Sequence, residues 1–140
     1  WTNEHGPRGG DELNVHHAGG LNFGWPVISY GINYDGTTFT EETERPGMEQ
    51  PVTYWDPSIA PSGLAFVTSD RYPGWKGDVL NGALRFQLIA RVVVDGTDFV
   101  KEERIVEGIG RIRDVVQAPD GFIYFSNESN GTVNRILPLD

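Results

Sequence analysis

Apolar residues along this chain recur in short alternating runs and not at helical spacing, because Gly or Pro interrupts almost every window of about a dozen residues. The runs that read as strands cover residues 12–16, 52–55, 63–69, 79–83, 88–94, 99–106, 113–118, 122–126 and 132–137, and most are rich in Val, Ile, Phe or Tyr. Turn chemistry separates them: Asp95-Gly96, Pro119-Asp120-Gly121 and Asn130-Gly131 each stand between two apolar runs. Asn81-Gly82 is the exception. It lies inside an apolar run, which points to a bulge or a close backbone approach instead of a hairpin tip.

The second half of the chain repeats a pattern. From Pro61 onward, "PSGLAFVTSD", "GDVLNGALR", "QLIARVVVDG" and "FVKEERIVEG" give four strands in a meander, after which "RIRDVVQAPDG", "FIYFSNES" and "GTVNRILPLD" begin a second unit that stops one strand short. Four-strand meanders at a period of about 40 to 50 residues are the signature of β-propeller blades. A β-sandwich would show the same strand density but does not predict the missing strand. The chain is all-β and is read as a partial ring of about three four-stranded antiparallel blades, over residues 1–60, 61–110 and 111–140, the last incomplete. A closed ring needs about 4 to 8 blades.

Composition narrows the partners. The chain has 140 residues, no Cys, and 20 acidic against 11 basic side chains, for a formal charge of −9. Without Cys there are no disulfides, thiolate metal sites or Cys nucleophiles. The first 70 residues hold ten acidic and two basic groups, and no clustered Lys and Arg face nucleic acid, which argues against a duplex partner. No run approaches the roughly 18 apolar residues of a membrane span. The start at Trp1 and not at Met reads as a processed product or fragment.

Four segments combine rare residues with Gly and Pro that expose the backbone, "EHGPRGGDELN", "NFGWP", "WDPSIAPSG" and "GRIRDV", and the first and last speak most directly to chemistry. In "EHGPRGGDELN" the Gly6-Pro7 and Gly9-Gly10 pairs force the backbone to turn and show carbonyls, with Asp11 and Glu12 close behind. Carbonyl and carboxylate oxygens suit Ca²⁺, and a Gly-Pro turn before an acidic strand is the plain alternative. In "GRIRDV" Arg111 and Arg113 alternate at strand spacing, so both guanidiniums fall on one face with Asp114 on the other. Two such forks repel unless an anion lies between them: either a bound carboxylated ligand or acids from other blades.

Five ordered motifs then match a family: "EHGPRGGDELN", "NFGWPVISYG", "GMEQPVTYWDPSIAPSG", "WKGDVLNGAL" and "RIRDVVQAPDGFIYFSNESNGTVNRI". Over essentially its whole length the chain resembles the C-terminal part of the soluble pyrroloquinoline quinone (PQQ) dependent sugar dehydrogenases, closest to the aldose sugar dehydrogenase branch. The resemblance implies a six-bladed propeller that binds PQQ and Ca²⁺, oxidises aldose sugars at the anomeric carbon to lactones, passes electrons to an acceptor, and works in the periplasm or outside the cell. It implies that the carbonyls of Gly6 and Pro7 hold the catalytic Ca²⁺, that His5 lies at the quinone face, where the glucose dehydrogenase branch has Gln, and that Arg111 and Arg113 neutralise PQQ carboxylates. Arg85 takes the place of a cofactor-contacting Lys. Glu12 and the backbone of Phe23 resemble a second calcium site, with Asp11 beside it as a PQQ contact or support, and Trp55 and Asp56 fall where relatives line the sugar pocket. The family's general-base His lies before Trp1, so no catalytic residue is assigned within this chain. His16 and His17, read as a strand residue and the loop after it, are expected in surface or supporting roles. A partial ring is expected to self-associate or to pair with the rest of a propeller. The rival readings are a non-catalytic propeller that binds carbohydrate or protein, and a calcium-dependent, lactonase-like hydrolase.

Overall fold

The computed structural model describes residues 1–138; Leu139 and Asp140, the end of the expected third blade, lie outside the described residues. Ten strands form three antiparallel sheets, and no helix is present among the described residues. The chain divides into two compact units, Trp1–Ala60 and Pro61–Asp140.

In the first unit β1 (Thr2–Glu4), β2 (Asp11–Asn14) and β3 (Thr53–Trp55) make a three-stranded sheet in that order. β2 is central and covered on both sides, and its alternation separates two faces. Asp11 and Leu13 pair across with Trp55 and Thr53 on the core face, where Leu13, Ile28, Trp55 and Ile59 are buried. Glu12 stands in register with Glu4 on one side and Tyr54 on the other, so these three share the opposite face. β1 escapes the hydrophobic pattern because Thr-Asn-Glu offers no apolar position; pairing with β2 makes it a strand. β2 ends at Asn14, two residues before His16, which therefore sits in the loop and not in the strand. The long irregular segment between β2 and β3 is tied back by reciprocal backbone bonds between Arg8 and Ile32, at 2.9 and 3.0 Å.

In the second unit β4 (Pro61–Phe66), β5 (Val79–Ala83), β6 (Leu88–Asp95) and β7 (Asp98–Ile105) form the expected four-stranded meander. β8 (Ile112–Gln117), β9 (Ile123–Asn127) and β10 (Thr132–Ile136) form a three-stranded sheet, one strand short as the sequence indicates. Among the described residues only the middle sheet reaches four strands, since residues 1–60 also supply three. A shared core of Val67, Tyr72, Leu80, Ile89, Ile112, Val115, Ile123 and Phe125 joins the two sheets of this unit. The Tyr72 hydroxyl accepts from the Ile123 N–H and donates to the Ile136 carbonyl, both at 2.8 Å. β7, on the sheet edge, carries Lys101, Glu102, Glu103 and Arg104, charges that discourage a further strand from pairing.

Gly82 keeps its register with β6, while β4 bulges opposite it between Pro61 and Leu64, and the approach is close: a Cβ on Gly82 would stand 2.6 Å from Ser62 Oγ and 3.0 Å from Ile112 Cγ2. Gly63 is tighter still, because a Cβ would meet the Val115 backbone nitrogen at 2.5 Å. Backbone cannot step aside as a side-chain tip can. Gly63→Ala is therefore expected to destabilise the chain by about 3 kcal/mol and Gly82→Ala by about 1 kcal/mol, compared by urea unfolding midpoints.

Candidate functional site

The Gly6-Pro7 turn is held by one buried carboxylate. Asp11, 1% exposed, accepts from the Gly6 N–H at 2.8 Å and from Ser58 Oγ at 2.9 Å through Oδ1, and from the Ala60 N–H at 2.8 Å through Oδ2. Ser58 Oγ in turn accepts from the Gly9 N–H at 3.0 Å, and the Gly10 N–H donates to the Trp55 carbonyl at 2.9 Å. None of these bonds uses the carbonyl of Gly6 or Pro7, so both oxygens remain available to a ligand. The turn tolerates no side chain at its start, because a Cβ on Gly6 would fall 2.2 Å from the Gly9 carbonyl oxygen.

Gly6 and Pro7 open on a cleft of about 390 Å³ that Glu4, His5, Gly10, Glu12, Phe23, Trp25, Ile28 and Ser29 also line. The structure thus brings His5, Gly6, Pro7, Glu12 and Phe23 to one place in the first unit. Asp56 is close by on the turn's other side, its Oδ1 only 2.5 Å from where a Gly9 Cβ would be. Asp11 lies beneath the turn with its carboxylate engaged by three protein donors, the geometry of a support to the turn. Trp55 is 5% exposed and lies on the core face, while strand alternation turns Tyr54 outward, stacked on Tyr30 with ring centroids 3.8 Å apart. His16 bonds Thr2 Oγ1 through Nε2 at 2.8 Å and packs against Phe23, in keeping with a supporting role.

The floor of the cleft holds an electrostatic conflict. Asn14 Nδ2 donates to Glu4 Oε1 at 2.6 Å and to Glu12 Oε2 at 3.2 Å, while Asn14 Oδ1 is buried with no hydrogen-bond partner. Burial, with the Glu4 charge adding to it against the Asn14 bond, pushes the Glu12 carboxyl above the usual carboxylate range. A hard cation beside Glu4 and Glu12 would relieve both effects, so the donor set fits Ca²⁺ in charge and in oxygen chemistry. Glu4, Asn14 and Ser58 were not legible as site residues: only the register of β1 with β2 and the return of the chain at 58–60 bring them in.

In the second unit one acid of their own sheet, Glu128, spans Arg111 and Arg113. Its Oε1 accepts from Arg111 Nε at 3.2 Å and its Oε2 from Arg113 Nε at 2.7 Å, with Arg113 Nη2 at 2.5 Å. All three side chains are 40–54% exposed. The Arg113 hydrogen bond, then that of Arg111, holds the Glu128 carboxyl below the usual carboxylate range. Glu128 went unseen in the sequence because the β8–β9 register, with Ile112 opposite Asn127, is what delivers it. Arg85 sits exposed on the turn after β5, its guanidinium 5.9 Å from the Phe86 ring centroid.

The glucose/sorbosone dehydrogenase family model matches residues 1–135. The chain belongs to this family. It is 43% identical over 142 residues to the aldose sugar dehydrogenase YliI of Escherichia coli, covering 99% of this chain and 38% of that protein. The structure of the soluble aldose sugar dehydrogenase from Escherichia coli in the apo-form superposes with a TM-score of 0.90 at 42% identity, over 98% of this chain and 40% of that one. The PQQ-bound aldose sugar dehydrogenase of Streptomyces coelicolor gives a TM-score of 0.70 at 26% identity, over 96% of this chain and 37% of that one. The chain thus spans well under half the length of these family members.

Two measurements check this geometry. Asp11→Ala strands two backbone N–H groups and the Ser58 hydroxyl, and should cost about 3 kcal/mol in urea unfolding, with Ser58→Ala costing less. Glu12 has a raised folded-state value, so the stability it contributes is complete below the ordinary Glu range and is lost as pH rises through the raised value. Glu12→Gln should therefore melt higher than the wild type at neutral pH without added metal, and the gain should vanish by about pH 4.

Proposed function

We propose that this chain is part of a PQQ- and calcium-dependent aldose dehydrogenase, oxidising the anomeric carbon of an aldose to a lactone. It would contribute a portion of a six-bladed propeller, with blades over residues 1–60, 61–110 and 111–140, in the periplasm or outside the cell. The observation that carries the reading is the pre-organised Gly6-Pro7 turn, with two carbonyls left over after Asp11, Ser58 and Ile32 have taken its other bonds. A turn built so rigidly around unused acceptors suits a cation that needs oxygen ligands without adding further charge.

Gly6 and Pro7 would hold Ca²⁺, and Glu12, with the Phe23 backbone, would hold a second ion. Arg111 and Arg113 would take carboxylates of PQQ, and Arg85 and His5 are further candidates for contact with it. When bound, PQQ would supply a two-electron acceptor and Ca²⁺ a Lewis acid. This chain's residues bind and orient: the guanidiniums fix a planar polyanion through paired N–H donors, and the turn fixes the metal. Asp56 is proposed to face the sugar. Proton removal from the sugar hydroxyl is assigned to a His outside this chain.

Titration with PQQ in the presence of Ca²⁺, followed by absorbance, tests the reading. Arg111→Ala and Arg113→Ala should each weaken PQQ by about 1.5 to 3 kcal/mol, the worth of a charged hydrogen bond. Ca²⁺ alone should raise the melting temperature of the wild type and raise that of Glu12→Gln less. PQQ binding with no aldose oxidation by the complete protein would favour the non-catalytic carbohydrate-binding reading, and unchanged PQQ affinity in both arginine variants would remove them from the site.

A further inference from the structure

The turn after β9 is fastened to the arginine segment by its backbone. The Glu128 N–H donates to the Arg111 carbonyl at 2.8 Å, the Arg111 N–H donates to Ser129 Oγ at 2.9 Å, and Asn127 Nδ2 donates to the Ile109 carbonyl at 2.7 Å. Glu128 therefore cannot leave by moving its turn, while its half-exposed side chain is free to rotate. A carboxylate tethered in this way acts on the guanidiniums at an effective concentration on the order of millimolar or above. It does not saturate them. Arg111 meets Glu128 through Nε alone and Arg113 through Nε and Nη2, and two positive charges face one negative charge.

We propose that Glu128 sets the specificity of the Arg111–Arg113 anion site, filling it against monocarboxylates and yielding only to a ligand with two or more carboxylates. This rests on the reading of the arginine pair as a carboxylate site and adds a role for the acid between them. A monocarboxylate that displaces Glu128 exchanges one carboxylate contact for another of the same kind and must also overcome the tether. A polycarboxylate makes the same exchange and still brings a second negative charge to the guanidinium that Glu128 leaves under-compensated. The displaced side chain swings into solvent, and the backbone bonds of the turn stay made.

Calorimetric titration of the chain with benzoate, isophthalate and PQQ tests this on the wild type and on Glu128→Gln, Glu128→Ala, Arg111→Ala and Arg113→Ala. Removing the internal carboxylate should tighten benzoate, isophthalate and PQQ alike by about tenfold, which lifts benzoate from below the threshold of measurable binding to above it. A residue that merely supported the turn would weaken every ligand when replaced. If both Glu128 variants bind benzoate no tighter than the wild type, while the arginine variants lose isophthalate, the proposal is overturned and the arginine site stands. If the arginine variants bind isophthalate and PQQ as the wild type does, the arginine site falls and the proposal with it. Two different replacements at an exposed position, each with its melting temperature, keep a folding defect from passing for a result.

Discussion

A single carboxylate organises the first unit. Asp11 has two oxygens, and it spends them on residues 6, 58 and 60, so the start of the unit and its end are pinned to the same point. A buried carboxylate is costly unless its lone pairs are matched, and the surrounding sequence is bent to that requirement. Gly6 must lack a side chain to bring its N–H within reach, and Ser58 must carry a hydroxyl that bonds Asp11 and the Gly9 N–H together. The consequence for chemistry is indirect. Because the N–H donors of the turn are taken by the protein, Gly6 by Asp11, Arg8 by Ile32, Gly9 by Ser58 and Gly10 by Trp55, the Gly6 and Pro7 carbonyls are what the turn has left to offer.

The second unit shows how to separate structural from available arginines. Arg91 is 7% exposed and bonds Asp78 at 2.6 Å, Glu103 at 2.5 Å and the Gly74 carbonyl at 3.0 Å, with its guanidinium 4.6 Å from the Trp75 ring centroid. Two acids and an aromatic face surround one cation, which leaves it no capacity for a ligand. At Arg111 and Arg113 the ratio is reversed, two cations to one acid in solvent. Residue type alone did not distinguish these cases. The count of partners does.

Most of the strand pattern was legible because it is hydrophobic: the alternation from Pro61 to Ile136 is strong enough to fix seven strands, their turns and the missing eighth. What the pattern could not carry was anything whose cause lies across a sheet. β1 is polar and exists through pairing. Glu4, Asn14 and Glu128 enter their sites through register, which single-strand periodicity does not specify. Trp55 and Tyr54 illustrate the limit most sharply, since resemblance points to a neighbourhood in the chain while the parity of the strand decides which of two adjacent aromatics faces out. The Gly82 close approach was legible for the opposite reason, because a glycine in an apolar run has few explanations.

Polar groups in the two units differ in how far the fold has satisfied them, and that difference locates the chemistry. Asp11, Asp78 and Arg91 are buried and matched. Asn14 Oδ1 is buried and unmatched beside two carboxylates that share one amide, and two exposed guanidiniums share one carboxylate. A sequence shaped for stability alone would remove the first conflict by replacing Glu12 with an apolar residue, and the second by supplying another acid. The first conflict is relieved by a cation and the second by a polyanion. The two deficits are opposite in charge, so each unit keeps open a kind of ligand that the other would repel, a cation in the first and a polyanion in the second.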